Sequence, residues 1–437
     1  MDATSLQPAL TAATFTAETL ERGETSHELL RRTEELVPRL IYVGDVPVES
    51  SYHGSALLYR LLQDYAAAGL RIVETGSRSA VERRLSNVDY RWIPLVKSRW
   101  MNTRLHPYVV AFYSTASIRM SRQVIATLKD AQFDSVLTVV HGFGWLVAAR
   151  LAESRGVPLH LIMHDDWPRV AQVPAAFRPW LDQRFAAVYR QAQSRMCVSP
   201  SMRDEYQRRY GKDGEVLYPM TDRRCPGFDA RRLRSSRNHQ TFTVAFAGTI
   251  NTQGYVEALK TLHAVLARIS GRLLLFGPLS RFEAEELGLN LPNIVLCGLL
   301  DWPELIERLR EEADALFVPM SFSKSDRANM EMAFPSKLAD YTAVGAPLLI
   351  YGPQYCSAVR WADENPGSSE VARVEGEEAL AAALHRLASS PQHREMLGMR
   401  ALEMGRRYFC HDHIQSVFDG ALTTRTTQGQ TVYCPPT

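Results

Sequence analysis

Phe334-Pro335-Ser336-Lys337-Leu338-Ala339-Asp340-Tyr341-Thr342-Ala343-Val344-Gly345-Ala346-Pro347, with Leu348-Leu349-Ile350 behind it, is the stretch that decides how this chain is read. Pro335 suits the first position of a helix, where its missing N–H would have no partner anyway. Leu338, Tyr341 and Thr342 recur at helical spacing, and Gly345 sits where a C′ glycine ends a helix. Leu348-Leu349-Ile350 reads as a buried strand. The first turn carries the Ser336 hydroxyl and the Lys337 ammonium beside free backbone N–H groups, an arrangement that attracts anions. Asp340 lies one turn on, where a carboxylate can accept from ribose hydroxyls. An ordinary helix–strand unit with a solvated lysine fits the same residues.

The alternation continues on both sides. Strands are expected at 39–44, 71–74, 135–140 and 159–163, with helices at 56–68 and 145–153. A second series follows: strands at 242–247, 272–276, 294–296 and 315–318, with helices at 255–267 and 303–312. Helices at 377–387, 394–408 and 413–422 close the chain. Strands alternating with helices imply βαβ units and parallel sheets. The fold class is α/β, with two doubly wound Rossmann-like domains. The expected division is an accessory segment over 1–36, a first domain over 37–220, a linker over 221–240, and a second domain over 241–408. The linker holds six arginines; such a run reads more readily as a solvated connection than as a binding patch.

Composition narrows the function. The chain has 437 residues, 46% apolar and 22% charged, enough for large cores. A net charge of +2 does not favour nucleic acid as the partner. Six cysteines lie scattered without CxxC spacing, which suggests reduced thiols and a cytoplasmic setting. No signal-peptide pattern or run of about 20 apolar residues stands out, so contact with a membrane would be peripheral, at its inner face.

In doubly wound sheets ligands bind beyond the carboxyl ends of the strands. Gly44 ends the first strand, and Gly54-Ser55 precedes the next helix. His141 follows a buried strand directly, and His164-Asp165-Asp166 follows another. Adjacent carboxylates do not face one way on a regular element, so the pair is not read as a metal site. Gly248-Thr249-Ile250-Asn251-Thr252-Gln253 links a strand to a helix, a geometry suited to a diphosphate. Gly277 and the run Gly298-Leu299-Leu300 end two further strands. Plain turn chemistry accounts for any one of these glycines; together with Ser336 and Lys337 they favour a nucleotide site.

These residues, in this order, resemble the GT-B glycosyltransferases, specifically the retaining group called glycosyltransferase family 4, over about 38–424. The most specific match is 334–347, which is similar to the family's donor-binding helix. The resemblance implies two Rossmann-like domains facing across a cleft. It also implies a last helix crossing back onto the first domain, within 409–437, before a loose tail. His141 would orient the donor sugar and Lys337 would meet the diphosphate. Gly54, Ser55, Gly248, Thr249, Asn251, Gln253, Gly277, Leu299, Leu300, Phe334, Pro335, Ser336 and Asp340 would line the donor site.

The pattern departs from the family in places. Thr249 and Gln253 stand where many members carry Arg and Lys, and Met332 stands where many carry the first of two glutamates. Arg281 or Arg327 could supply the missing charge. The implied activity is transfer of a hexosyl or related group from a UDP- or GDP-type sugar, with retention and with neither metal nor cofactor. A polysaccharide-biosynthesis role would fit. The acceptor is a glycan, a lipid-linked molecule or a protein, met by loops near 45–52, 92–106 and 165–180 that hold Trp92, Trp100, Trp167 and Trp180. The rival readings are a non-catalytic nucleotide-sugar binder or partner subunit, and a nucleotide-sugar epimerase.

Overall fold

The structure, a computed structural model, describes residues 38–50, 53–66, 69–95, 103–229, 241–250 and 252–423. Asn251, Trp100, the accessory segment 1–36 and the tail beyond 423 lie outside the described residues. Two parallel sheets form the scaffold. The first has the order β3-β2-β1-β4-β5-β6-β7. Its strands are β1 (Leu40–Gly44), β2 (Arg71–Glu74), β3 (Asp89–Trp92), β4 (Ser135–Val139), β5 (Leu159–Met163), β6 (Ser194–Cys197) and β7 (Glu215–Val216). The second has the order β10-β9-β8-β11-β12-β13. It comprises β8 (Thr243–Ala247), β9 (Arg272–Phe276), β10 (Ile294–Gly298), β11 (Ala315–Pro319), β12 (Leu348–Tyr351) and β13 (Ser369–Ala372).

The central strands are apolar throughout because helices cover both faces of a parallel sheet. LIYVG of β1, SVLTV of β4 and LHLIM of β5 are buried at every position. In the first domain the helices are α1 (His53–Leu62), α2 (His106–Thr127), α3 (Gly144–Arg155), α4 (Trp167–Val170), α5 (Arg178–Gln191) and α6 (Pro200–Tyr210). In the second they are α7 (Gln253–Arg268), α8 (Arg281–Glu286), α9 (Trp302–Glu312), α10 (Arg327–Met332), α11 (Lys337–Thr342), α12 (Ser357–Glu364), α13 (Glu377–Ser389) and α14 (Pro391–Tyr408). Side-chain caps fix several starts. Ser199 Oγ accepts from Met202 N at 3.0 Å at the head of α6, and Thr252 Oγ1 accepts from Tyr255 N at 3.3 Å at the head of α7.

The last helix, α15 (His411–Thr423), packs on the first domain. Ile414, Phe418, Ala421 and Leu422 join Leu57, Leu58 and Leu61 in one buried cluster of the first domain. Tyr65 Oη donates to Asp419 at 2.8 Å. One apolar core runs through both domains and passes Met330, Met332, Phe334 and Phe409 on the way. Hydrogen bonds seal the seam: Ser199 Oγ donates to Met332 O at 2.6 Å, and Thr221 N to Phe409 O at 2.8 Å.

Some expected elements shift. The helix expected at 56–68 is α1, which starts at His53 and stops at Leu62 before a single 3-10 turn, Gln63–Tyr65. The stretch 92–106 runs from the end of β3 at Trp92 to the start of α2 at His106, and 96–102 lie outside the described residues. Within 165–180, α4 and the start of α5 carry Trp167 and Trp180. The deciding segment folds as read, with a shorter helix: α11 has six residues, Gly345 turns the chain at φ +83, and β12 follows.

Candidate functional site

Each sheet reverses its strand order at one place, between β1 and β4 in the first and between β8 and β11 in the second. The loops leaving these strands face each other, and a cleft of about 570 Å³ lies between the domains. Ala56, Leu57 and Arg60 of α1 line one wall. Gly248, Thr249, Gly277, Leu299, Leu300, Ser336, Lys337 and Asp340 line the other. Seven of the expected donor-side residues, together with Lys337, are thus brought to one surface by loops after three strands and by the start of α11.

Lys337 is buried, and its ammonium has no carboxylate within ion-pair distance among the described residues. It lies over the rings of Phe246 and Tyr255, 4.9 and 5.2 Å from their centroids. Loss of water pushes its pKa down to about 8, against a smaller upward pull from Asp340. A cation held so poorly by its own protein is ready for an anionic ligand. Because α11 is so short, the lysine and not a helix dipole carries the positive charge here.

Asp340 is committed on one side only. Its Oδ1 accepts from Arg60 Nη1 at 3.0 Å and from Trp302 Nε1 at 2.7 Å. Its Oδ2 has no hydrogen-bond partner among the described residues. Burial raises the carboxyl pKa, and the Arg60 charge and both hydrogen bonds hold it back. Arg60 also donates to Met220 O at 2.5 Å, lies 3.8 Å from Asp222, and covers the Trp302 ring at 5.4 Å. Sequence reasoning missed this arginine, because it sits 280 residues before its partner.

On the first-domain side, Asp45 organises the loop that carries His141. Its carboxylate accepts from Thr75 Oγ1 and Phe143 N, and burial raises its pKa. Gly142 takes φ +55, and a Cβ there would overlap the Asp45 carboxylate. His141 is exposed, its ring 4.8 Å from that of Trp167. His164 packs beside Gly54, where a Cβ would lie 2.8 Å from its Nδ1. Burial lowers the His164 pKa to about 4, so the ring is neutral near pH 7. The two carboxylates after β5 part as expected. Asp166 is fully buried and clamps Arg209 at 2.9 and 3.0 Å. Asp165 acts on Tyr255 in the other domain, adding to the burial that raises its pKa to about 12.

Several expected site residues are placed elsewhere. Phe334 turns inward, 4.9 Å from Tyr218 and 5.7 Å from Phe409, because an aromatic ring gains more from the seam core than from the cleft wall. Pro335 is half-buried and outside the cleft lining. Gln253 opens α7 exposed, bonded to Glu257 at 3.3 Å. Gly54 and Ser55 belong to the α1 start, where Gly54 serves packing against His164. Met332 lies buried in the seam, 3.6 Å from Arg209. Arg281 is 81% exposed, and Arg327 pairs with Glu331 at 2.9 Å. The arginines that do line the cleft are Arg60, Arg83 and Arg224. No group of three or more His, Cys, Asp or Glu is placed to hold a metal ion among the described residues.

Two Rossmann-like domains facing across such a cleft define the GT-B architecture, a fold class of glycosyltransferases. Residues 72–224 match the model of Glycosyltransferase Family 4, which spans β2 to the interdomain crossover. No curated protein sequence matches the chain. Among solved structures, Anabaena HepE in complex with UDP and glucose superposes with a TM-score of 0.65 at 12% identity, covering 89% of this chain and 100% of that one. Sucrose-phosphate synthase from Thermosynechococcus elongatus gives 0.61 at 16%, covering 87% and 97%. The Escherichia coli trehalose-6-phosphate protein bound with UDP-2-fluoro glucose gives 0.59 at 15%, covering 89% and 99%. At these identities the likeness establishes the fold.

Proposed function

We propose that this protein is a glycosyltransferase that takes a hexosyl or related group from a nucleotide-diphosphate sugar, with retention of configuration and without a metal. The observation that carries the reading is Lys337: a buried ammonium with no carboxylate partner among the described residues, in the cleft beside Gly248 and Gly277. It would bind the diphosphate and stabilise the charge that grows as the sugar–oxygen bond breaks. Asp340 Oδ2 would accept from the ribose, and the backbone at Leu299 and Leu300 would meet the base. His141, exposed and packed against Trp167, would orient the sugar from the first-domain side. Solved structures of this fold that hold UDP or a UDP-sugar support a UDP-type donor. Domain closure would exclude water from the donor. The acceptor would enter from the first-domain side, in a cytoplasmic setting.

A second reading, a non-catalytic nucleotide-sugar binder, draws on Thr249 and on Gln253, which leave the diphosphate loop without side-chain cations. Thermal unfolding with UDP, GDP, ADP and dTDP, each with and without EDTA, tests both. A ligand at 100 times its Kd adds about 2.7 kcal/mol. A rise with one nucleotide that survives EDTA, together with turnover of the matching sugar nucleotide, is expected. No rise with any nucleotide would overturn the proposal. Binding without transfer or hydrolysis would favour the second reading.

A further inference from the structure

We propose that the face formed by α2 and the end of β3 docks on an anionic lipid bilayer. This goes beyond the reading of the cleft and does not depend on it. Along the outer side of α2, Leu105, Tyr108 and Phe112 stand 47%, 66% and 64% exposed, and Trp92 at the end of β3 is 47% exposed. Positions 105, 108 and 112 form one helical stripe. The stripe continues into Arg119 and Arg122, both exposed, with Arg104 and Lys129 exposed at the two ends of the helix. A shallow groove of about 530 Å³, lined by Trp92, Ile93, Pro94, Leu95, Tyr113 and Met120, runs alongside.

The charge is as one-sided as the apolar exposure. Residues 91–129 hold seven Lys and Arg and no Asp or Glu, while the whole chain is only +2. The rest of the chain is therefore net acidic, and Arg104, Arg119, Arg122 and Lys129 of this segment lie exposed along α2 and at its ends. Large exposed aromatics beside arginines, with no carboxylate on α2 itself, match the chemistry of a bilayer interface: rings enter the headgroup boundary and cations meet lipid phosphates. A protein partner would be expected to find some acidic residues to pair with here. The placement also makes sense of the site. Tyr113 packs 6.1 Å from Phe143, two residues beyond His141, so a docked bilayer would sit beside the acceptor side of the cleft.

Sedimentation of the full chain with vesicles tests the inference, using phosphatidylcholine alone and phosphatidylcholine mixed with phosphatidylglycerol. Binding to the mixed vesicles is expected, with release at about 1 M salt, where charges are screened within about 3 Å. Tyr108→Ser with Phe112→Ser, and separately Arg119→Gln with Arg122→Gln, should each lower binding by about tenfold or more. All four side chains are on the solvent side, so the fold should persist. Each variant should keep the wild-type thermal response to nucleotide. No sedimentation with mixed vesicles, equal binding to phosphatidylcholine alone, or binding indifferent to both variant pairs would overturn the proposal. So would concentration-dependent self-association that the Tyr108 and Phe112 changes abolish, which would assign the face to a second copy. Failure here with a normal nucleotide response leaves the proposed function standing; loss of the nucleotide response alone counts only against that function.

Discussion

Lys337 keeps its charge in surroundings that penalise it. Aromatic rings flank the ammonium, water is excluded, and the pKa falls from the ordinary lysine value to about 8. Below that pH the side chain is protonated and attracts a diphosphate; above it the neutral amine does not. The sign is therefore fixed: nucleotide affinity should fall as pH rises through about 8. The bound anion favours the ammonium and shifts the fall upward in the complex. Without ligand the unfolded chain holds this proton up to a higher pH than the folded one, so Lys337 makes folding more favourable as pH rises from about 8 toward the ordinary lysine range. Titration calorimetry with UDP across this range measures the first effect. A flat profile would remove Lys337 from the diphosphate site. Lys337→Ala should lower turnover at least tenfold, about the cost of one lost electrostatic contact in a transition state, with the unfolding transition retained. Near-normal turnover would sink that role.

At the scale of single elements, α2 shows what a sequence conceals. Its buried positions include Ser114, Ser117 and Ser121, one every three or four residues. Each satisfies its hydroxyl on a carbonyl of its own helix, Val110 O, Ser114 O and Ile118 O, at 2.7, 2.8 and 2.6 Å. Small serines let α2 lie close against α3. If that is their use, Ser117→Leu should overpack the contact and cost about 1–3 kcal/mol, read as a lower urea midpoint. An unchanged midpoint would mean the contact has room to spare. The same serines hid the helix. With polar residues on the inner side and Tyr108 and Phe112 on the outer, the hydrophobic period that marks a helix is erased. By contrast β5 and β9 were legible to the residue, because strands covered on both faces read as near-continuous apolar runs. The edge strands β3 and β13, DYRW and SEVA, face solvent and carry no such run. In the candidate site, Lys337, Asp340 and the strand-end glycines were legible because local chain geometry positions them. Phe334 was misplaced because its partners, Tyr218 and Phe409, come from distant segments.

The whole molecule is held at its cleft by Arg60. This one guanidinium, 8% exposed, joins α1 of the first domain to Met220 and Asp222 at the crossover and to Asp340 and Trp302 of the second domain. Asp222 has a second cation in Arg224, at 2.9 Å. Asp340 has none as close. Arg60 therefore does two things: it holds the domains together, and it fixes Asp340 Oδ1 so that Oδ2 faces the cleft. Removing one partner of a buried pair leaves the other charge uncompensated, at about 3–5 kcal/mol when burial is complete. The side chain of Asp340 keeps 25% of its exposure, so the cost here is lower. Arg60→Ala should relax the closed arrangement, seen as a larger radius of gyration in solution scattering, and should weaken nucleotide binding through a carboxylate no longer oriented. Arg60→Lys should restore part of the closure, since a lysine replaces the charge, but less of the affinity, since a point charge cannot reach Met220 O and Asp340 in the same planar geometry. If the alanine variant scatters like the wild type and binds nucleotide as well, the bridge is a surface contact without mechanical consequence. If it opens while binding is unchanged, Arg60 sets domain closure alone and Asp340 needs no help to face the ribose.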